Sequence, residues 1–126
     1  MAEPSAYPPV TTRIEADDVR RFSEAVKADP DAGVPPTFAA VYAIRHGIHQ
    51  MLADASLAID PARLLHGEQD IVWDRHPRVG DTVTARSRVI SDVQKGSLRF
   101  LTVESVAIDQ DGDRVCVARA VMAVRS

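Results

Sequence analysis

The sequence predicts an α+β fold in which one long antiparallel sheet wraps around a central helix. Residues 35–54 carry apolar side chains at three- and four-residue intervals, as a helix does where one face meets a core. Residues 65–124 instead show the two-residue period of strands, interrupted by short polar turns. Because no helical pattern separates these strands, hairpins must join them and the sheet must be antiparallel.

Composition indicates an ordinary globular domain. The 126 residues are 45% hydrophobic and 26% charged. A chain of this length and composition can form one hydrophobic core that needs no disulfide or metal to stabilise it. A net charge of -3 provides no basic field for nucleic acid or acidic lipid. The single cysteine, Cys116, has no partner for a disulfide within the chain, which favours a cytoplasmic location. Neither a secretory signal nor an apolar run of about 20 residues is present, so we predict no membrane association.

The N-terminal part predicts a lead-in, a strand and a helix. Residues 1–9 are proline-rich and are expected to be a flexible lead-in to a single domain formed by residues 10–126. Residues 10–14 fit a short strand. A first helix is expected from Ala16 to Asp29, with Lys27 in its last turn, because proline follows Asp29. Its predicted inward stripe is Val19, Phe22 and Val26.

The central helix is predicted over residues 35–54. Two prolines hold its entry extended, and the Thr37 hydroxyl is expected to cap the first turn. The predicted core face consists of Phe38, Val41, Ile44, Ile48, Met51 and Leu52. Ala40, Ala43 and Gly47 form a neighbouring stripe of small residues. Because glycine costs a helix interior up to about 1 kcal/mol, this stripe predicts close packing of the backbone against another element.

Four strands follow. They are predicted over residues 65–74, 82–93, 98–108 and 114–124, with a loop at 75–81 and hairpins at 94–97 and 109–113. Strict alternation puts His66 and Glu68 on one face of the first of these strands and Gln69 on the other. Asp109, Asp111 and Asp113 resemble the start of a calcium loop. Alanine stands where such a loop needs its glutamate, so a hairpin turn is predicted and a metal site is not.

Strands of about 11 residues twist strongly and can curl around one helix. The predicted architecture is therefore the hot-dog fold. An exposed sheet edge or face in such a fold usually joins a second copy or a homologue, so we predict a dimer.

Several motifs in this order are similar to one known family. They are Tyr7-Pro8-Pro9-Val10, residues 14–28, Pro35-Pro36-Thr37-Phe38, Leu65-His66-Gly67-Glu68-Gln69 and Arg78-Val79-Gly80-Asp81-Thr82. The chain thus resembles the N-terminal, FAS1-like dehydratase domain of the MaoC-like hydratase/dehydratase family. That resemblance implies a hot-dog fold and reversible hydration of 2-enoyl thioesters of coenzyme A or acyl carrier protein, giving (3R)-hydroxyacyl products.

Catalytic members of that family carry an Asp-x-Asn-Pro-x-His motif between the first and the central helix. The histidine acts as the base, and the acid orients water or passes a proton. Here the corresponding place reads Asp29-Pro30-Asp31-Ala32-Gly33-Val34, with neither histidine nor asparagine. The sequence therefore predicts an accessory subunit that has no catalytic residue of its own and pairs with a catalytic hot-dog chain.

Two groups of residues are candidates for binding. The substrate or subunit-interface candidates are Tyr42, Arg45, His46, His49, His66 and Gln69. The four on the central helix are spaced by three and four residues, which predicts one shared face distinct from the Val41 stripe, either solvated or lining a pocket. His66 is expected either to contact substrate or to be buried with its ring nitrogens bonded to main chain. Arg75 and Arg78, with His76 between them, could contact carrier phosphates or simply be solvated.

Other chemistries fit less well. A zinc site from His46 and His49 lacks a third ligand and any His-Glu-x-x-His pattern, and we predict no metal and no cofactor. Thioesterases of this fold need a carboxylate on the central helix, yet none precedes Asp54. The main alternative is a homodimeric protein that binds acyl-CoA or acyl carrier protein thioesters. A thioesterase activity is a weaker hypothesis than this alternative.

Overall fold

A five-stranded antiparallel sheet curves around one central helix. The structure, a computed structural model, describes residues 6–125. The strands are β1 (Val10–Arg13), β2 (Leu64–Trp73), β3 (Thr82–Lys95), β4 (Leu98–Ile108) and β5 (Arg114–Arg125), in the sheet order β1-β3-β4-β5-β2. All four pairings are antiparallel. The predicted hot-dog fold is therefore confirmed, with β1 and β2 as the edge strands.

The first helix, α1 (Ala16–Ala25), is shorter than its sequence predicts. It ends because Lys27 adopts a left-handed conformation (φ 59°), which lets the Ala28 amide donate to the Ser23 carbonyl at 2.8 Å. This hydrogen bond at the C-terminus of the helix therefore ends α1 before the proline at position 30 is reached. Lys27 lies beyond the last turn, and Val26 is 48% exposed rather than inward-facing. Val19 is buried and Phe22 stacks on Phe38 with ring centroids 5.2 Å apart, as an inward stripe requires.

The central helix is composite. A 3₁₀ turn (Pro36–Phe38) leads into a π-helical turn (Ala40–Ile44), which continues as the α-helix α2 (Arg45–Ala53). The predicted Thr37 cap is wrong, because Thr37 lies inside the 3₁₀ turn and no side chain caps these segments. Between residues 6 and 125, no helix combines the length and apolarity needed to cross a bilayer.

The small residues of this helix face the sheet. Ala39, Ala43, Gly47 and Met51, spaced by four, are all buried. A Cβ atom on Gly47 would lie 2.6 Å from Ser87 Oγ and 3.0 Å from Val103 Cγ1, so only glycine allows this approach. The predicted close packing is confirmed at Ala43 and Gly47 but is wrong at Ala40, which is only partly buried and faces away from this contact; Ala39 takes its place. The predicted core face is wrong at Val41, Ile48 and Leu52, which are only partly buried, because the sheet packs closest to the smallest residues.

A third face of the helix holds the N-terminal segment. His46 Nε2 is 3.0 Å from Thr12 Oγ1, Gln50 Nε2 donates to the Pro8 carbonyl at 2.8 Å, and the Tyr7 hydroxyl donates to Asp54 at 2.7 Å. The Tyr7 amide also donates to the Ser87 carbonyl at 2.7 Å. The end of the predicted flexible lead-in is thus fixed to the domain, whereas residues 1–5 lie outside the described residues.

Candidate functional site

An open groove of about 310 Å³ lies between the central helix and β2. It has an apolar floor and a polar rim. The floor is Ala40, Val41, Ile44 and Ile48, and the rim is Arg45, His49, His66 and Gln69. Three rim residues carry basic groups, so an apolar ligand with a polar or anionic end fits this lining best.

The helix supplies most of the groove through a single face. Val41, Ile44 and Arg45, Ile48 and His49 follow one another at intervals of three and four residues. Val41 and Ile48, which the sequence assigns to the core, and Ile44, which is buried, form the groove floor with Ala40, whereas Phe38 and Met51 lie in the core as predicted. The signal in the sequence is the interleaving of Arg45 and His49 with apolar residues, which is typical of a partly open surface rather than a core.

A β-bulge at Gly67 brings the two β2 residues into the groove. His66 pairs with Met122 and Glu68 with Val121, so Gly67 is the extra residue. The bulge shifts the alternation by one, which puts His66 on the same side as Gln69 and leaves Glu68 opposite. A Cβ on Gly67 would lie 3.0 Å from the Val121 carbonyl oxygen. The strict alternation predicted for this strand is therefore wrong at His66, which is exposed rather than a buried histidine.

Four of the six predicted binding residues line the groove: Arg45, His49, His66 and Gln69. Tyr42 does not, because it is 1% exposed beneath the sheet and accepts a hydrogen bond from Trp73 Nε1 at 3.2 Å. Burial raises the pKa of Tyr42 to about 12 and that of the neighbouring Cys116 thiol to about 11. Both groups are therefore neutral near pH 7 and act in packing. The prediction that Tyr42 shares a face with Arg45 and His49 is wrong.

His46 faces the N-terminal segment rather than the groove. Burial lowers the pKa of His46, and the nearby charges of Arg45 and His49 lower it further. Its imidazole is hydrogen-bonded to Thr12, a hydroxyl rather than a carboxylate. His46 is therefore a neutral contact between the helix and β1.

No carboxylate is among the described residues that line the groove. The position where the resemblance would place the acid and base holds only a 3₁₀ turn, Pro30–Ala32. The Asp29 carboxylate caps this turn by accepting the Asp31 amide at 2.9 Å. The groove thus has imidazole and guanidinium groups but lacks the carboxylate of an acid–base pair.

In the loop after β2, the half-buried Arg75 makes ion pairs within the chain. Its guanidinium donates to Asp109 at 2.6 Å and to Asp81 at 3.2 Å. The hydrogen bond from Arg75 is the largest cause that lowers the pKa of Asp109, and the amide of Arg78 is the largest for Asp81. Arg75 is therefore a structural cation. Arg78 and His76 are exposed on the loop, and the predicted phosphate contact there stays a prediction.

The aspartates of the second hairpin build its turn. Asp109 is buried, and its Oδ1 accepts the amides of Asp111 at 2.8 Å and Asp113 at 3.0 Å. Its other oxygen is bonded to Arg75. The predicted hairpin turn is confirmed, with Asp109 as the residue that organises it.

We expect Arg75→Gln to destabilise the protein at neutral pH and to lose that effect in acid. Asp109 and Asp81 have folded-state pKa values below the ordinary 3.8, so their ion pairs stabilise the fold above about pH 4. As the pH falls through the lowered values, protonation removes this contribution from the wild type. Urea unfolding at pH 7 and pH 3 measures the difference, with Arg78→Gln as the control. A difference that stays constant with pH would contradict the ion-pair explanation.

The chain is similar to several known proteins. Residues 5–118 match the family described as the FAS1-like dehydratase domain region. The UPF0336 protein Lxx02810 of Leifsonia xyli subsp. xyli is 31% identical over 136 aligned positions, covering 95% of this chain and 91% of the relative. Among solved structures, the C-terminally truncated HadBC (3R-hydroxyacyl-ACP dehydratase) complex of Mycobacterium tuberculosis has a similar chain. The TM-score is 0.74 with 18% identity, and 96% of each chain is covered. The protein smu.793 of Streptococcus mutans UA159, bound to acetyl CoA, has a TM-score of 0.66 at 15% identity, covering 98% of this chain and 84% of that one.

Proposed function

Because the chain belongs to the FAS1-like dehydratase domain family, we propose that it is the non-catalytic subunit of an (R)-specific enoyl-thioester hydratase or 3-hydroxyacyl-thioester dehydratase. In this role its groove holds the acyl group, and a second hot-dog chain supplies the aspartate and histidine. The observation that carries the proposal is the lining of the groove. It is apolar at its floor but has no carboxylate among the described residues.

The chemistry of the reaction explains why that absence matters. Dehydration breaks the C–H bond at the α-carbon and the C–O bond at the β-carbon, so one group must accept a proton while another donates one to the hydroxyl group, which leaves as water. Arginine remains protonated and cannot accept the proton. The imidazoles of His49 and His66 have no carboxylate beside them in the groove to orient or charge them. The groove is thus equipped to bind rather than to transfer protons.

The position of the groove also supports a partner chain. β2 is an edge strand of the described sheet, and it forms one wall of the groove. Unpaired edge strands bind other chains through their main-chain groups. Leu65 and Val72 on this strand are 50% and 70% exposed. A strand or loop of a catalytic chain added at this edge would cover the groove and could place its own acid and base over the bound acyl group.

The isolated chain is expected not to hydrate crotonyl-CoA. Co-expression with a hot-dog chain that carries Asp-x-Asn-Pro-x-His should give a stoichiometric complex with robust turnover. Turnover is measured as the loss of the enoyl-thioester absorbance. Turnover by the isolated chain that His49→Ala or His66→Ala abolishes would overturn the proposal, because the chain would then carry its own chemistry.

A homodimeric acyl-thioester binding protein is the second candidate. The favouring observation is that one chain by itself forms a groove with an apolar floor and a basic rim. Purification from the native cell distinguishes the two candidate functions, because a lone homodimer with bound acyl-CoA supports the second candidate function. Hydrolysis is less consistent with the structure. The carboxylate at the far end of the helix, Asp54, is engaged by the Tyr7 hydroxyl at 2.7 Å.

A further inference from the structure

The groove between the central helix and β2 differs in chemistry from one end to the other. The start of the helix lies beside the end of β2, because Trp73 Nε1 donates to the Tyr42 hydroxyl at 3.2 Å. Further along the helix, a Cβ on Gly47 would lie 3.0 Å from Val103, which the strand pairing aligns with Gln69. The helix and β2 therefore run in opposite directions along the groove.

This direction separates the apolar lining from the polar lining. The start of the helix contributes Ala40 and Val41. The polar residues follow toward the end of the helix and the beginning of β2, and they are Arg45, His49, Gln69 and His66. From Ala40 to His49 the helix rises roughly 13 Å. An occupant that follows the groove thus passes from an apolar end to a basic end.

The positive charge at the basic end is not neutralised within the described residues. Arg45 is exposed and forms no ion pair there, whereas Arg99 on β4 is paired with an aspartate at 2.7 Å. Burial lowers the pKa of His46, and the charges of Arg45 and His49 lower it further, so this part of the helix has a positive potential. In the proposed complex the partner chain covers the groove, and a guanidinium that loses water without gaining an anion is costly. An occupant that carries an anion removes this cost.

We propose that the groove binds apolar chains that end in a carboxylate, with the carboxylate on Arg45 at the basic end and the hydrocarbon over the floor. A carboxylate accepts charge-assisted, bidentate hydrogen bonds from a guanidinium, which an uncharged thioester carbonyl cannot do. The phosphate of coenzyme A or acyl carrier protein is not this anion, because the pantetheine arm between the thioester and the phosphate is longer than the groove.

Two kinds of molecule present this chemistry. One is a free long-chain fatty acid, which competes with the acyl thioester for the floor. The other is an acyl thioester whose distal carbon carries a second carboxylate, so that its thioester lies at the apolar end. The consequences for turnover rest on the proposed function, whereas binding of the carboxylate does not.

Probes that share a decyl chain test the site on the isolated full chain: decanoate, decanol and decyltrimethylammonium. In isothermal titration calorimetry below micelle-forming concentrations, decanoate should bind at least about tenfold more tightly than decanol, and the cation should bind more weakly than decanol. Arg45→Gln should reduce the affinity for decanoate to about that for decanol, and should leave decanol within about twofold. Equal affinity for the three head groups, no binding of decanoate, or an equal loss for decanoate and decanol would overturn the proposal.

Arg86→Gln is the matched control. Arg86 is an exposed arginine of β3 outside the groove lining, so this variant loses the same charge but should bind decanoate as the wild type does. A loss equal to that of Arg45→Gln would show that decanoate responds only to the net charge of the chain, which would contradict a site at Arg45.

Turnover by the complex with a catalytic chain identifies the source of the carboxylate. Competitive inhibition by decanoate that Arg45→Gln relieves indicates a free fatty acid. A higher kcat/KM for an enoyl-CoA with a distal carboxylate than for dodecenoyl-CoA, lost in Arg45→Gln, indicates the second source. Neither effect in a complex that turns over would exclude carboxylate ligands from the covered groove and overturn the proposal. A complex without turnover contradicts only the proposed function, because the calorimetry is independent of it.

Discussion

Replacing Gly47 with valine is expected to destabilise the protein by roughly 3 kcal/mol or more. The first added atom would lie 2.6 Å from Ser87 Oγ and 2.8 Å from Ser87 Cβ, distances that real Cβ atoms do not show. Both the helix and the sheet would have to move apart to accept it. The gain in helix propensity from removing glycine, about 0.5 kcal/mol, is far smaller than this overpacking cost. Urea unfolding followed by Trp73 fluorescence measures the loss.

Ala53→Val is the control for this experiment. Ala53 is an exposed residue of α2, so the same side chain there should cost well under 1 kcal/mol. A double-mutant cycle of Gly47→Ala with Ser87→Ala identifies the clash directly. Ser87→Ala removes the nearest oxygen and its 2.7 Å contact with Ser105, so it should recover part of the loss from Gly47→Ala. Strictly additive effects would show that the Ser87 hydroxyl is not part of the clash, because Ser87 Cβ stays 2.8 Å from the added atom in both backgrounds.

Gly47 also shows how far sequence reasoning reaches. Period and turn chemistry predict the fold, because the change from a helical to a two-residue period is visible along the chain. The cost of glycine inside a helix predicts close packing, and the structure confirms it. Which face packs is a different matter. The periodicity of the sequence shows which helix face is apolar. The face that packs on the sheet is instead the one whose small side chains let the two backbones come closest.

The lining of the groove cannot be predicted from the local sequence pattern. His66 and Gln69 share a side only because Gly67 is an extra residue in β2, and a one-residue shift reverses every prediction about faces. Likewise, Arg75 and Asp109 are 34 residues apart, and only the hairpins bring them together. The missing acid–base motif, in contrast, is visible in the sequence because it is a contiguous segment. The candidate function was therefore better indicated than the candidate site.

In the proposed complex with a catalytic chain, Ile48→Trp is expected to lower kcat/KM for dodecenoyl-CoA at least roughly tenfold while leaving crotonyl-CoA within about twofold. Ile48 lies on the groove floor, where a larger indole would occupy part of the 310 Å³. A short acyl group needs only the region near the partner's acid and base, whereas a long one must extend along the floor. The effect should therefore depend on chain length.

Ala53→Trp places the same side chain on an exposed position of the same helix outside the groove and should change neither rate. Two other outcomes are informative. An equal loss for both substrates, with weaker co-purification of the partner, would mean that the groove is a contact between subunits and does not hold the acyl chain. Unchanged rates for both would exclude the groove from either role. Because turnover by the wild-type complex is measured alongside, failure of the proposed enzyme itself would be seen separately from failure of the groove assignment.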